Sequence, residues 1–132
     1  MREFKFRAWD KEECKMYNSK DLIICFDYVC SEAYVKKDNY KELYNYELME
    51  CTGFSNLENI EIYEGDIVKR QNGEVGVIKY GRYDTNNKKG IRNIGFYIDW
   101  KGDSFKRIDL GFWINQIDVI GNIYENPELL GE

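Results

Sequence analysis

The sequence has no histidine, and Pro127 is its single proline among 132 residues. Without imidazole, the usual general base near neutral pH is missing. So is one of the two common side-chain ligands of zinc. The four cysteines, at 14, 25, 30 and 51, include no Cys-x-x-Cys pair. Their spacing fits no zinc site, so they read as reduced, partly buried, small apolar residues, and no metal is expected. There is no Walker loop, no dinucleotide fingerprint and no Gly-x-Ser-x-Gly elbow, so no cofactor is implied. A cysteine nucleophile would need an activator other than histidine, and the sequence offers none. No apolar run approaches the ~20 residues of a membrane helix. The start, Met1-Arg2-Glu3-Phe4-Lys5-Phe6-Arg7, alternates charge and ring instead of building a signal-peptide core. These absences predict a cytoplasmic chain that touches no membrane.

Aromatic residues, by contrast, are plentiful. They make up 16% of the chain, with eleven tyrosines, seven phenylalanines and three tryptophans. Such side chains suit pleated, half-buried surfaces and favour a β-rich domain. At this length the chain reads as one domain, residues 1–132, able to bury a core without staples. The net charge of −5 opposes general affinity for nucleic acid. The charge is uneven, however. Residues 69–92 hold seven basic and two acidic side chains, a local +5, which leaves −10 on the remainder.

Phe4, Phe6 and Ala8 alternate with Lys5, Arg7 and Trp9, which predicts a strand over 3–9. Asp10 to Glu13 is a polar turn, and Lys15 to Asn18 returns as its hairpin partner. Leu22 to Cys30 is a second β-prone run. Residues 33–46 stay open between strand, loop and one short helix near 38–46 capped by Asp38. Glu47 to Cys51 reads as a strand, and Thr52-Gly53 opens a loop through Asn59. Asp66–Arg70 and Glu74–Tyr80 form the clearest hairpin, around Asn72-Gly73. Gly81 to Gly90 is polar and reads as a loop. Gly95–Trp100 and Phe105–Leu110 are strands flanking a Lys101-Gly102-Asp103 turn. Gln116 to Tyr124 is a buried strand, and Pro127 ends regular structure. Eight or nine short strands predict a barrel or sandwich, mainly β. The Gly65-Asp66-Ile67-Val68 entry suits a small SH3-like barrel with additional N-terminal strands, and Gly76 marks a bend.

Three groups of residues invite a chemical reading. Glu61, Glu64 and Asp66 are carboxylates close enough for acid–base or cation chemistry. Yet Asp66 after Gly65 suits a turn in which a short carboxylate accepts backbone N–H groups. Asp99, Asp103 and Asp109 lack the spacing of a calcium loop. Lys79, Tyr80, Arg82, Tyr83, Lys88, Lys89 and Arg92 form the one basic-aromatic cluster, the mixture that single-stranded nucleic acid uses. A solvated loop balanced by acids elsewhere explains the same residues. Trp9, Trp100 and Trp113 read as core or oligomer contacts.

Several runs carry a family resemblance. Phe6-Arg7-Ala8-Trp9-Asp10-Lys11 with Met16, Leu48-Met49 with Thr52-Gly53-Phe54, Ile62-Tyr63-Glu64-Gly65-Asp66-Ile67-Val68, and Val119 to Leu130 are similar to signature segments of the phage- and prophage-encoded YopX-like family. Phe54 stands where the family pattern has leucine. Residues 30–46 and 81–113 carry no match. The resemblance implies a phage or prophage origin, a host-cell setting and a mainly β fold containing an SH3-like barrel. It carries over no catalytic residue.

The expected function is therefore a non-enzymatic accessory protein that binds a host or phage macromolecule, a protein partner first. Three alternatives stay open. One is a nucleic-acid-binding barrel using the basic 79–92 loop. Another is an acidic decoy for a DNA-binding protein, suggested by the −10 remainder. The last is a small-molecule enzyme, which no catalytic motif supports.

Overall fold

The computed structural model describes residues 5–27, 32–37, 42–84, 92–102 and 109–131. The backbone divides into two compact units, Glu3–Glu50 and Cys51–Glu132.

In the first unit, β1 (Phe6–Asp10) and β2 (Lys15–Tyr17) form an antiparallel hairpin with Ala8 opposite Tyr17. The turn is organised by buried Asp10, whose Oδ1 accepts the Glu12 N–H at 3.0 Å. After a 3-10 turn at Ser19–Asp21, β3 (Leu22–Asp27), β4 (Glu32–Lys37) and β5 (Glu42–Leu43) build a three-stranded sheet in sequence order. Of the alternatives open for 33–46, the strand is the one taken in β4 and at Glu42–Leu43, Tyr46 already begins the next strand, and the expected Asp38 cap lies outside the described residues. That strand, β6 (Tyr46–Ser55), pairs through its first half with β1, Leu48 opposite Ala8. Ala8, Tyr17 and Leu43 are the buried centre, packed by Leu22, Ile24 and Tyr46.

In the second unit, the other half of β6 pairs with β7 (Glu61–Tyr63). The sequence ends this strand at Cys51, but the structure carries it to Ser55. The ladder slips between Cys51 and Ser55, Gly53 takes a φ of 84°, and the Thr52 hydroxyl accepts the Phe54 N–H. A bulge thus continues the strand where Thr-Gly reads as a break.

Beyond it, β8 (Asp66–Arg70), β9 (Val75–Asp84) and β10 (Arg92–Trp100) run as an antiparallel meander. One helical turn, α1 (Leu110–Trp113), leads into β11 (Ile117–Asn122), which returns to pair with β8. The four-stranded order is β10-β9-β8-β11. A meander, a helical turn and a closing strand on the first strand of the meander make up an SH3-like barrel path. The fold is mainly β, as the composition predicts. Its core is Ile62, Val68, Ile78, Phe96, Ile98, Trp100, Leu110, Trp113 and Ile117. Trp100 and Trp113 are core residues, with ring centroids 5.4 Å apart and edge-to-face. Among the described residues no helix is long and apolar enough to cross a membrane.

Three predicted boundaries differ. β9 runs four residues past Tyr80, through the segment expected to be loop. Leu110, expected at a strand end, starts a helical turn instead. Pro127 opens a 3-10 turn, Pro127–Leu130, where its missing N–H costs nothing.

The Asn72-Gly73 hairpin is present, but its turn is of another kind than the dipeptide suggests. Gly73 has a φ of 92°, while Asn72 stays out of the left-handed region. The Gly73 N–H donates to the Arg70 carbonyl at 3.0 Å, and the Arg70 N–H to the Glu74 carbonyl at 2.9 Å. The loop is three residues, Gln71 to Gly73, closed by a glycine in the left-handed region. The Asn72 side chain bridges it, accepting from the Glu74 N–H and donating to the Glu74 carboxylate.

Candidate functional site

The Gly65-Asp66 turn is a structural joint. Gly65 has a φ of 88°, its N–H donates to the Ile78 carbonyl, and its carbonyl accepts from the Ile123 N–H. Asp66 is 2% exposed, and its Oδ2 accepts the Tyr63 N–H at 2.8 Å. Glu61 is engaged elsewhere, accepting from the Cys51 thiol. Each of these two carboxylates is therefore committed to a contact of its own. Among the described residues, no group of three or more histidine, cysteine, aspartate or glutamate side chains is placed to hold a metal.

The C-terminal run is built the same way. Asn122 is buried, and its Oδ1 accepts the N–H groups of Tyr124 and Glu125. Asn126 reaches back to accept the Asn122 N–H. A Cβ on Gly121 would lie 2.5 Å from Asn126 Oδ1, so a larger residue there would force the Asn126 side chain to shift.

The basic-aromatic cluster lies on β9 and β10, and strand alternation divides it. Cross-strand partners share a face. Lys79 stands opposite Tyr97, and Tyr83 lies four residues further along β9 on the same face, opposite Asn93. Tyr80 stands opposite Phe96 and Arg82 opposite Ile94, on the other face. The seven residues are thus not brought together as one surface. Lys88 and Lys89 lie outside the described residues, and Arg92 is placed by its backbone alone, opposite Asp84.

The two faces differ in character. On the first, Lys79 Nζ is 2.7 Å from Asp99 Oδ2. The hydrogen bond to Asp99 raises the Lys79 pKa above its ordinary value, against a smaller lowering by burial. Tyr83 and Tyr97 lie ring to ring at 5.3 Å. A groove of about 530 Å³ opens beside the Lys79–Asp99 pair, lined also by Val77, Ile123, Pro127 and Leu130. Its far wall is tied down by Lys101 Nζ, which donates to the Leu130 carbonyl.

The second face continues the core outward. Ile78 and Ile98 are fully buried on it, Phe96 is nearly so, and then the cover ends. Tyr80 is 54% exposed and Ile94 67%. Arg82 is exposed, and among the described residues it makes no ion pair.

The cover ends because β8 is short. It pairs with β9 only at Val75, Gly76 and Val77. Past Ile78, β9 has only β10 beside it among the described residues. On its other side, among the described residues, β10 carries one bridge, from Tyr97 to Asp109. Among the described residues, 80–84 and 92–96 therefore form a two-stranded arm beyond the reach of β8.

The family model described as YopX protein matches residues 5–131. The chain belongs to the YopX family. No curated protein matches it. Among solved structures, it is similar to protein EF1440 from Enterococcus faecalis at 24% identity and a TM-score of 0.60, over 98% of this chain and 99% of that one. This likeness supports the fold.

Ile94 is the exposed arm residue that the sequence reading did not single out. Ile94, Phe96, Ile98 and Trp100 alternate perfectly with other residues, a period-two signal that reaches one residue before the expected strand start at Gly95.

Proposed function

We propose that this YopX-family protein is a non-enzymatic phage or prophage accessory protein that works in the host cytoplasm by binding a host or phage macromolecule. The β9–β10 arm is its contact surface. One observation carries this reading. A single sheet face that is fully buried at Ile78 and Ile98 becomes exposed at Tyr80, Arg82 and Ile94, where the flanking strand stops. A two-stranded hairpin is marginal by itself. An arm that displays an isoleucine and a tyrosine to water gains stability when a partner covers them.

Site-specific crosslinking tests the reading. A photoreactive residue at position 94 is expected to form adducts in host cells carrying the phage, and one at exposed Glu128 is not. Ile94→Ser with Arg82→Ser is expected to reduce partner capture without lowering the melting temperature. Equal labelling from both positions, or none from position 94, defeats the proposal.

A further inference from the structure

We infer that the partner of the arm is a single-stranded nucleic acid, laid across the face that carries Tyr80, Arg82 and Ile94. This inference rests on the binding role proposed for the arm and names its ligand.

Three observations converge on an anionic, ring-bearing ligand. The first is charge. Residues 69–92 carry +5 in a chain whose remainder carries −10, so a polyanion is drawn to this part and repelled from the rest. Within that segment, Arg70 is engaged with Glu74 at 3.3 Å and Lys79 with Asp99 at 2.7 Å. Among the described residues Arg82 has no such acid, and its guanidinium is available for a phosphate or a base face.

The second is the aromatic ring. Tyr80 meets Phe96 at 4.9 Å with the ring planes 64° apart. The two rings do not stack, and at 54% exposure Tyr80 keeps a ring face for another planar group. Exposed rings on a sheet face are how small β domains stack unpaired bases.

The third is placement. Arg82 and Ile94 are directly opposite on the ladder, and Tyr80 is the next residue along the same face. A ring, a cation and an apolar side chain thus lie within one or two nucleotide lengths on one face, where the next cross-strand pair is Asp84 and Arg92. An acidic peptide pairing with the arm would use its open edges, whereas these three side chains stand on the face. Duplex nucleic acid keeps its bases stacked inside and offers Tyr80 nothing to stack on.

Fluorescence anisotropy with labelled oligothymidylate, oligouridylate and a duplex of equal length tests the inference. At low salt the single strands are expected to bind more tightly than the duplex, with a log–log salt slope of about −0.7 per neutralised phosphate. Tyr80→Ala should weaken binding by about tenfold or more, the size of one lost stacking contact. Tyr80→Phe should retain it, because the ring and not the hydroxyl does the work. Arg82→Glu should abolish it and flatten the slope. Tyr83→Ala, on the opposite face, should change little. Circular dichroism melts confirm that each variant is folded.

The inference is overturned if no single strand binds at low salt, if the duplex binds as well, or if Tyr80→Ala and Arg82→Glu leave binding intact. If oligonucleotides fail while position 94 still crosslinks a protein in host cells, the ligand named here is wrong and the arm remains the contact surface. If both fail, the arm itself is wrong.

Discussion

Asn122 stands directly opposite Asp66 in the β8–β11 ladder, and the next amide, that of Ile123, donates to the Gly65 carbonyl at 2.9 Å. The two runs most similar to the YopX signature therefore meet as adjacent strands. Each holds a buried polar side chain whose oxygen accepts backbone N–H groups. In this chain these motif residues join β11 to β8.

Asp66→Ala should destabilise the fold by about 1–3 kcal/mol, the cost of leaving a buried donor unmet. Asp66→Asn retains an acceptor oxygen and should cost less. Urea denaturation of both variants checks the order. Equal losses would mean that the negative charge, and not the acceptor, holds Tyr63.

Two glycines on the same hairpin should respond with opposite sign. A Cβ on Gly76 would lie 2.5 Å from Ile98 Cγ2 and 3.0 Å from Trp100 Cε3, and both neighbours are buried. Gly76→Ala should cost about 1–3 kcal/mol through overpacking. A Cβ on Gly95 meets nothing within 4 Å, and its φ is not in the left-handed region. Gly95→Ala should be neutral or stabilising by up to about 1 kcal/mol, through the unfolded chain. Thermal melts of the pair decide the matter.

At Gly73 nothing lies within 4 Å of a built Cβ, so any penalty there is backbone strain at a φ of 92°. Gly73→Val should cost about 1–3 kcal/mol. Gly73→Asn should cost less, since asparagine tolerates the left-handed region. If valine and asparagine behave alike in denaturant, strain is not what selects glycine there.

Lys79 gives a pH signature. Its folded pKa is raised by Asp99, so the pair stabilises the fold fully below the unfolded lysine value. That contribution is lost as the pH rises through the higher folded value. Both side chains are about half exposed, so solvent screening keeps the effect small. Asp99→Asn should bring the Lys79 titration back toward the ordinary lysine range, read by NMR of the side-chain nitrogen. An unmoved titration would assign the shift to something other than Asp99.

Much of this fold is legible in the sequence. Asn72-Gly73 marks the hairpin, and the Gly65-Asp66 turn can be read from a glycine followed by a short acid. What escapes has physical reasons. Gly81 to Asp84 looks like loop because its strand is held by hydrogen bonds to β10 and not by burial. Leu110 and Trp113 are three apart, a spacing that a helical turn uses to bury both. The site was half visible. Lys79 and Tyr80 are neighbours in the chain but point to opposite sides of the sheet, so a cluster counted along the sequence splits into two surfaces in space.

The arm has a further consequence, for the protein's behaviour at high concentration. Backbone donors and acceptors along strand edges that no described residue pairs are a template on which copies stack edge to edge. Here the edges carry cationic residues, and Gly81 stands opposite Gly95, which weakens the ribbon's drive to extend. Two such arms repel one another at low ionic strength, and added salt removes that repulsion. The positive charge that recommends the arm as a binding surface also guards it against self-association.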